Sequence, residues 1–448
     1  MKLLIVDQDC VALSIAYRAA EAGHQVRWYI DPRPGNNKKT GDGFKGIQKV
    51  DNFVPHLMWA DLIISTSNDK YISKLNWARE QGAKVFGPTP RSARLEIDRS
   101  YGMKVMEAVG IELAPYETFA NMREAKKHVE KTGERFVFKA LGSNPDKATT
   151  YVSKNAADMI GWIERIDSRG QAPEGEIMLQ QFIKGIEMGV SRFMGKKGFV
   201  GQWNESFEHK KLMSSNYGCN TGEMGTIAYF TKESKLGEEA LGKLEGKLLE
   251  LGHTGDVAIG FMIPTEGPKA GIPLPTEFTM RFGWPITNMM LGATEGDPIT
   301  WMKDALEGKD TTSFKESIGC CLVLTHGDFP HGNKTKREVS DVPLQGVTKG
   351  NKSHIHPQSI KIDVMPDMDG DKVVRRPMWN TSGDYIAVVT GFGADVKMAA
   401  ERAYKTTKQL NVSDMMVRDD VGEGLKDQLP KLHKLGYATH CEYELKKD

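Results

Sequence analysis

The hydrophobic and polar positions of the first ninety residues change period repeatedly, from short apolar runs to amphipathic stretches and back. Short apolar runs predict strands, and apolar positions spaced three to four residues apart predict helices. The predicted elements are strand Lys2–Val6, helix Val11–Ala22, strands His24–Tyr29 and Asp61–Ser65, helix Lys70–Gln81 and strand Lys84–Phe86. This alternation predicts an open parallel α/β sheet over residues 1–90, with helices on both faces.

The carboxyl ends of two of these strands are polar, at Asp7–Cys10 and at Ser65–Asn68. Ligands of open parallel sheets bind at this edge. We therefore expect part of a binding site here. No G-x-G-x-x-G follows the first strand, which argues against a nicotinamide dinucleotide dehydrogenase.

After residue 90 the pattern changes to charged helices separated by β-rich runs. The predicted elements are helix Arg91–Val109, the extended segment Ile111–Phe119, strands Arg135–Ala140 and Glu176–Ile183, and a helical region at Lys235–Leu251. Between them, Phe199–Leu291 is rich in glycine, methionine and aromatic residues. We predict a second domain at residues 91–310, with residues 115–190 as a subdomain.

The last part of the chain is predicted to be a β-rich domain at residues 311–448. Its expected elements are strands Gly319–Thr325, Ser359–Val364 and Tyr385–Thr390, followed by the amphipathic helix Asp395–Leu410. The stretch Phe329–His356 is dominated by Gly, Asn, Lys and His and reads as an exposed loop. The spacing of His326, His331, His354 and His356 matches no compact metal-ligand set, so we interpret them as solvated loop histidines.

Composition narrows the class of protein. The 448 residues are 39% hydrophobic and 27% charged, which is the balance of a folded globular chain. Lys and Arg number 60 against 59 Asp and Glu, so nothing indicates a diffuse attraction to nucleic acid or anionic lipid. No run reaches the roughly 18 apolar residues of a membrane span, and no signal peptide is recognisable. We expect a cytoplasmic protein that does not enter membranes.

The five cysteines are odd in number and form no C-x-x-C pair. They are Cys10, Cys219, Cys320, Cys321 and Cys441. This pattern favours reduced thiols over a zinc site or a redox pair.

Candidate chemistry begins at Lys139, at the end of a predicted strand, and continues into the small polar loop Gly142–Thr150, which contains Lys147. An ammonium group fixed on a strand and a flexible loop of backbone N–H groups together suit a phosphate. The simpler interpretation is a surface lysine that ends a strand.

Two further segments suit a nucleotide. In Leu179–Glu187 the backbone from Gln181 to Ile183 could pair with an adenine, and Glu187 could accept hydrogen bonds from ribose hydroxyls. Lysines in Glu208–Lys211, beside the polar loop Asn220–Gly225, form a second candidate anion site. Each segment could also be purely structural.

The fourth segment is the alternating strand Pro275–Gly283. Its period of two places Glu277, Thr279 and Arg281 on one face. A carboxylate can hold a hard cation such as Mg²⁺, and a guanidinium can neutralise a phosphoryl group during transfer.

In order and spacing, these segments resemble the ATP-grasp family, and specifically its glycinamide ribonucleotide synthetases, or phosphoribosylamine–glycine ligases, over nearly the whole chain. Phe86–Thr89 with Ala93 and Glu96 is similar to the GPT…A.LE motif of that family. The other matching positions are Lys139 and Lys147, Leu179–Glu187, Glu208–Lys211 (DHKR), Asn220–Gly225 (NTGGMG), Glu277–Gly283 (EFNARFG), and Tyr404 with Val417–Gly422 (AY…YRRDIG).

The resemblance implies an ADP-forming ligase that uses ATP and Mg²⁺ or Mn²⁺. A carboxylate, in the family glycine, would become an acyl phosphate, and an amine, in the family 5-phosphoribosylamine, would attack it. It implies that residues 115–190 cover the nucleotide and that the protein is a monomer or homodimer. The implied catalytic residues are Arg281, Lys211 and Glu277, and the implied metal ligands are Glu277 and Thr279. The implied ATP-binding residues are Arg99, Lys104, Lys139, Lys147, Gln180, Gln181, Ile183, Glu187, Lys210 and Asn220.

Several positions depart from the family pattern. Asp7–Ala12 replaces a glycine-rich phosphate-binding GGREHA, and two acids at that strand tip would repel a sugar phosphate. Gly283–Ile286 replaces GDPE, Thr279 replaces an asparagine, Met103 replaces a lysine, and Asn144–Asp146 replaces flexible glycines. Two alternatives therefore stay open: the same ligation with a different amine acceptor, and an ATP-binding protein without turnover.

Overall fold

The structure, a computed structural model, describes residues 1–33, 37–141, 150–173, 175–331 and 339–445. The strands are β1 Lys2–Asp7, β2 Gln25–Ile30, β3 Ile47–Lys49, β4 Leu62–Ser65, β5 Val85–Phe86, β6 Tyr116–Phe119, β7 Phe136–Ala140, β8 Tyr151–Val152, β9 Ile177–Gln181, β10 Ile186–Gly195, β11 Gly198–Lys211, β12 Asn220–Thr231, β13 Gly255–Ile263, β14 Leu274–Thr279, β15 Ile318–Thr325, β16 Ser340–Pro343, β17 Ile355–Pro357, β18 Ile360–Asp369, β19 Lys372–Ser382 and β20 Tyr385–Gly393.

The α-helices are α1 Leu13–Glu21, α2 Ile72–Glu80, α3 Pro90–Ile97, α4 Arg99–Ala108, α5 Met122–Thr132, α6 Ala156–Ser168, α7 Lys235–Glu239, α8 Glu245–Glu250, α9 Ile286–Ala293, α10 Thr300–Leu306, α11 Val396–Thr407 and α12 Leu425–Lys434. Among the described residues, no helix has both the length and the apolar character needed to cross a membrane.

The N-terminal region contains the predicted parallel sheet. Its five strands lie in the order β3-β2-β1-β4-β5, and every pairing between them is parallel. Strands such as Leu62–Ser65 are buried along their whole length, as expected where helices cover both faces of a parallel sheet. The predicted fold class is confirmed for this region.

The single helix predicted at Arg91–Val109 is wrong, because α3 ends at Ile97 and α4 begins at Arg99. Asp98 between them has non-helical dihedral angles, φ −102° and ψ 87°. Its Oδ1 accepts a hydrogen bond from the Tyr101 N–H at 3.0 Å. Asp is a strong N-cap residue because its carboxylate accepts from N–H groups that have no partner within the helix. The break places Glu96 and Arg99 on either side of a bend.

A second, four-stranded sheet lies in the order β6-β9-β7-β8, and its pairings are antiparallel. Helices α5 and α6 cover it through a core that includes Phe138, Met159 and Leu179, each fully buried. Lys139 follows Phe138 on β7, so its side chain lies on the opposite face of this sheet from that core.

The largest sheet has eight antiparallel strands in the order β14-β13-β10-β11-β12-β15-β20-β17. Strand β15, after residue 310, pairs with β12 through Gly225–Tyr229. Residues on both sides of position 310 therefore share one sheet and one hydrophobic core.

Two segments predicted as loops are partly strands. The stretch Phe329–His356 contains β16 and most of β17, and His356 is fully buried with its Nε2 3.1 Å from Thr390 Oγ1. His326 is also buried, so the interpretation of both residues as solvated loop histidines is wrong. Asn220–Gly225 is the first half of β12 rather than a loop. Glycine and asparagine reduce strand propensity, but pairing with a neighbouring strand overrides it here.

Candidate active site

Polar side chains line one face of the eight-stranded sheet. On β14, Glu277 lies opposite Gly260 and Thr279 lies opposite Ala258 of β13. In an antiparallel sheet, residues that lie opposite each other share a face. Continuing the register across β13, Gly260 lies opposite Gly189 of β10, two residues after Glu187. We call this surface the active face. Strand β14 ends at Thr279, so Arg281 follows the strand rather than lying within it as predicted.

Two glycines, which have no side chain, lie in the middle of the active face. A Cβ atom on Gly189 would lie 2.5 Å from Ser206 Oγ, and one on Gly260 would lie 2.7 Å from Thr276 Oγ1. Both distances are too short for the present packing. Only glycine therefore fits at these two positions, where the side chains of Ser206 and Thr276 pack against the backbone.

Lys139 reaches this face from the four-stranded sheet. Its Nζ donates to Gln180 Oε1 at 2.7 Å and to the Thr276 carbonyl at 3.3 Å. Burial lowers the pKa of Lys139 to about 7, the positive charges of Arg99 and Lys210 add to this effect, and the carboxylate of Glu277 opposes it. The structure thus brings four of the predicted residues into one electrostatic cluster. A phosphate placed among them would relieve the repulsion between the cations.

Lys210 is held by carboxylates. Its Nζ lies 2.6 Å from Glu187 Oε1 and 3.2 Å from Glu208 Oε2. Burial alone would lower the pKa of Lys210, but the charges of Glu208, Glu187 and Glu277 raise it above its ordinary value. Burial and the charge of Glu208 also raise the pKa of Glu223 well above its usual range. Lys210 therefore stays an ammonium group inside an acidic cluster.

Glu277 is the accessible carboxylate of the active face. Its side chain is 47% exposed, and its Oε2 lies 3.8 Å from an Arg99 guanidinium nitrogen. Thr279, two residues on, is half-buried on the same face. Within the described ranges, no three His, Cys, Asp or Glu side chains form a preformed metal site. A cation bound here would therefore need ligands from the substrate as well as from Glu277 and Thr279.

Arg281 is positioned by Glu96, a residue to which the sequence analysis assigned no role. Glu96 Oε1 lies 3.5 Å from the Arg281 guanidinium, and Oε2 accepts from the Met280 N–H at 2.6 Å and from Asn68 Nδ2 at 2.7 Å. Arg281 also donates to the Phe282 carbonyl at 2.9 Å. Through Asn68, the edge of the parallel sheet is connected to the arginine. The only sequence signal for Glu96 was its place in the GPT…A.LE motif.

Lys211 and Asn220 lie opposite each other at the ends of β11 and β12. Lys211 Nζ is 3.4 Å from the Gly218 carbonyl, a contact within its own hairpin. Lys211 follows Lys210 on β11, and the described contacts of Lys211 do not include Glu277 or Arg281.

The C-terminal motif supports this hairpin. Arg418 is 2% exposed and donates to the Lys211 carbonyl at 3.1 Å and to Asn216 Oδ1 at 2.9 Å. Tyr404 Oη donates to the Arg418 carbonyl at 3.0 Å and accepts from the Val421 N–H at 3.0 Å. Through these hydrogen bonds, Tyr404 and the segment Val417–Gly422 together hold the β11–β12 turn in place.

The remaining predicted residues are more dispersed. Gln181 donates its N–H to the Pro115 carbonyl at 2.8 Å, and Ile183 follows β9 in a half-buried position. Lys104 is exposed on α4. Lys147 and the segment Asn144–Asp146 lie outside the described residues.

The expectation that two acids at the tip of β1 repel an anionic ligand is wrong for Asp7. Asp7 is fully buried, and its carboxylate accepts from the Ala12 N–H at 2.8 Å, from Trp28 Nε1 at 3.1 Å and from Thr66 Oγ1 at 2.9 Å. Burial raises its pKa. Asp9, at the tip, pairs with Arg33. Asp7 therefore organises the loop after β1 instead of facing a ligand.

Comparison with known families supports the resemblance. Residues 97–287 match the family model described as the ATP-grasp (A) domain of phosphoribosylglycinamide synthetase. The phosphoribosylamine–glycine ligase of Fusobacterium nucleatum subsp. nucleatum is 24% identical over 449 residues, which cover 94% of this chain and 98% of that protein. The enzyme of the same name from Streptococcus pneumoniae is 24% identical over 445 residues, covering 94% and 99%.

Solved structures share the fold. The phosphoribosylamine–glycine ligase of Thermotoga maritima superposes with a TM-score of 0.70 at 18% identity, covering 94% of this chain and 100% of that one. A biotin carboxylase from Campylobacter jejuni, in a beta-gamma-ATP complex, superposes with a TM-score of 0.60 at 14% identity, covering 98% of this chain and 96% of that one. Residues 97–287 thus match an ATP-grasp domain, and the chain resembles the phosphoribosylamine–glycine ligases over nearly its whole length, as the motifs predicted.

Proposed function

We propose, starting from the ATP-grasp fold shared with the phosphoribosylamine–glycine ligases, that this protein is an ADP-forming carboxylate–amine ligase. The observation that carries the proposal is the convergence of Lys139, Arg99 and Lys210 around Glu277 on the active face. Lysine and arginine side chains grouped near the exposed carboxylate of Glu277 suit a magnesium–triphosphate complex. The names of the curated relatives support glycine as the carboxylate and 5-phosphoribosylamine as the amine.

In this proposal ATP lies across the junction of the two antiparallel sheets. Lys139 binds phosphate oxygens. The side chain of Gln180 either leaves the Lys139 ammonium and contacts the nucleotide, or stays bonded to that ammonium and orients it. The backbone around Gln181 and Ile183 faces the adenine, and Glu187 accepts from the ribose hydroxyls. Since Glu187 already accepts from Lys210 at 2.6 Å, the same ion pair would fix the position of the carboxylate.

The donors of the active face fit a hard divalent cation. Glu277 would bind Mg²⁺ or Mn²⁺ with an exposed carboxylate, and Thr279 would add a hydroxyl oxygen from the same face. Magnesium commonly takes one or two carboxylates and completes its shell with water and substrate phosphates. When bound, the metal would neutralise charge on the β- and γ-phosphates.

The reaction then depends on the positioning of the substrates and not on a nucleophile of the protein. A carboxylate oxygen of the first substrate attacks the γ-phosphorus, the bond to the oxygen bridging the β-phosphate breaks, and ADP leaves. The amine nitrogen next attacks the acyl carbon, the bond to the phosphate oxygen breaks, and the amide and inorganic phosphate are formed after loss of a proton. Arg281, oriented by Glu96, would stabilise the negative charge that develops in both steps.

The test measures magnesium-dependent ADP release by purified protein with ATP and glycine, with and without freshly generated 5-phosphoribosylamine. We expect ADP only when both substrates are present, and loss of most of this activity in Glu277→Gln. Glu316→Gln, which changes an exposed glutamate elsewhere, is the matched control. ADP release with a different amine would support the alternative acceptor. ATP binding without ADP release for any amine would refute the ligase and favour the silent ATP-binding protein.

A further inference from the structure

A pocket lies at the end of the active face, beyond Thr279, where α9 covers the sheet. It lies between α9 and strands β10 to β13, and its cavity volume of about 10 Å³ has room for one group of the size of a water molecule. Its polar lining consists of Ser191, Asn204, Asp256 and Thr287. None of these four residues takes part in the chemistry proposed above.

The polar lining offers acceptors that lack donors. Asp256 is 7% exposed and Asn204 is 3% exposed. Within the part of the chain that the structure describes, Oδ1 of each residue is buried without a hydrogen-bond partner. The other Asp256 oxygen accepts a long bond of 3.4 Å from the Gly283 N–H, and Asn204 Nδ2 donates to the Tyr229 carbonyl at 3.4 Å. Buried acceptors without donors are costly, so this arrangement suits a ligand that supplies N–H groups.

The walls of the pocket are aromatic. Phe193, Phe230 and Phe282 line it, and two further apolar side chains complete the enclosure. The face of an aromatic ring attracts a cation, most strongly where water is excluded. A compact cationic head is therefore favoured over an anion or a large polar group.

The position of the pocket relates it to the proposed reaction. Asp256 lies two residues before Ala258 on β13, and Ala258 lies opposite the proposed metal ligand Thr279. At about 3.3 Å per residue, Asp256 lies roughly 7 Å along β13 from Ala258, the residue opposite that proposed ligand. Gly283, which contacts Asp256, follows Arg281 by two residues. The pocket thus begins next to the point where phosphoryl transfer is proposed to occur.

We propose that this pocket binds a primary ammonium group, namely the protonated amino end of the amine substrate, through Asp256 and Asn204, and that the nitrogen gives up one proton to the Asp256 carboxylate before it attacks the acyl carbon. The inference rests on the proposed ligase function for the identity of the ligand, because it assigns the substrate class of that same site. Binding of the ammonium group itself can be measured without turnover.

The charged groups around Asp256 give the proposal a pH dependence. Burial raises the pKa of Asp256 to about 7, while the Gly283 N–H and the Arg281 charge oppose this shift. The polar residues that β10, β11 and α9 contribute to the lining of the pocket are Ser191, Asn204 and Thr287, which are uncharged. The imidazole of His253 contacts the backbone of Asp256, with its Nε2 3.1 Å from the carbonyl oxygen. The carboxylate form therefore grows as the pH rises through 7. Ammonium binding is expected to strengthen over the same range, since a primary alkylammonium stays charged there.

The test uses methylammonium chloride as the probe and follows the rise in Tm of the full chain, with total ionic strength held constant by sodium chloride. The wild type is expected to show a saturable rise, and Asp256→Asn to need at least about tenfold more probe. Asp369→Asn, the same change in an exposed residue at the end of β18, should behave as wild type. Tetramethylammonium, which has the charge but no N–H group, should bind at least about tenfold more weakly than methylammonium.

Three results would overturn the inference: no saturable response of the wild type, an equal response of Asp256→Asn, or equal binding of tetramethylammonium. Asn204→Ala, with an expected weaker response of several-fold, provides a second variant if Asp256→Asn does not fold. ADP release distinguishes the two proposals. Methylammonium binding without any ATP-dependent turnover would refute the ligase and leave the ammonium site. Turnover that is unaffected by Asp256→Asn, together with absent methylammonium binding, would refute the ammonium site alone.

Discussion

The two ends of the active face differ in how their charges are compensated. At the nucleotide end, Lys210 lies between Glu187 and Glu208, and Arg99 lies near Glu277, so each of these two cations has an opposite charge nearby. At the other end, the Asp256 carboxylate is buried among aromatic rings, with one oxygen lacking a hydrogen-bond partner among the described residues. The cations at the nucleotide end can exchange a carboxylate partner for a phosphate. The Asp256 carboxylate at the other end instead needs a hydrogen-bond donor, which a ligand would supply.

The largest expected effect comes from removing the arginine that lies between these two ends. Arg281→Ala should lower kcat about 10²- to 10³-fold, because the charge that develops on the transferring group loses its stabilising guanidinium. The Kd for ATP should stay close to that of the wild type. Single-turnover ADP release and equilibrium ATP binding, measured side by side, check this. A large loss of ATP affinity would instead place Arg281 in ground-state nucleotide binding.

The next effect tests the nucleotide end. Lys139→Met should weaken ATP binding roughly 10- to 100-fold, because a buried charge-assisted hydrogen bond to phosphate is lost. The pKa of Lys139 is lowered to about 7, so most of this side chain is neutral at about pH 8 and must take up a proton to bind phosphate. Calorimetry in buffers of different ionisation enthalpy should detect this proton uptake in the wild type and its absence in Lys139→Met. Equal proton uptake in both proteins would contradict the assignment.

A smaller effect is expected from the residue that orients Arg281. Glu96→Gln should lower kcat about tenfold and leave the KM for ATP nearly unchanged, because Glu96 contacts Arg281 and the Met280 N–H but no proposed substrate position. Asn68→Ala, which removes only one of the bonds to Glu96, should have a weaker effect in the same direction. Steady-state kinetics of both variants separate kcat from KM. A change in KM alone would argue against a positioning role.

The smallest expected effect is on stability at the pocket end. The folded-state pKa of Asp256 is raised to about 7, so the folded state binds more protons than the unfolded state between its ordinary value near 4 and 7. Stability from this group is therefore present at low pH and is lost as the pH rises through 7. Asp256→Asn should have a higher Tm than the wild type, by a few degrees at about pH 8, and the same Tm below about pH 4, where both states are protonated. Thermal unfolding at both pH values measures this, and a lower Tm at the higher pH would show that the carboxylate has a stabilising partner.

Four of the five strands of the parallel sheet were predictable because their signals are local, whereas the three-residue strand β3 was not predicted. Continuous apolar runs such as Leu62–Ser65 are buried on both faces, and the predicted bounds differ from the observed ones by one or two residues. The period of two likewise predicted that Glu277 and Thr279 share a face. Asp98, by contrast, was read as part of one helix, although its capping preference gave a signal for the break that separates α3 from α4.

The roles of single polar residues were harder to predict, because burial depends on what the chain brings over them. Asp7 reads as an acid at a ligand edge, yet it is covered by Trp28 and Thr66. His356 reads as a loop residue, yet β17 pairs with β20. Glu96 and Arg418 carried motif signals, but their partners lie about 185 and 207 residues away in the chain. Such contacts cannot be derived from local periodicity.

The sequence by itself determined the strand and helix pattern of the parallel sheet, the ATP-grasp resemblance and the set of lysines and acids suited to a nucleotide. These properties follow from side-chain chemistry and short-range spacing, which each segment carries on its own. The tertiary structure decided that Lys139 joins Lys210 and Glu277, that Glu96 orients Arg281, and that Asp256 and Asn204 enclose a pocket. Those arrangements depend on strands that are distant in sequence, and the effect of burial on each charge exists only after the sheets have packed.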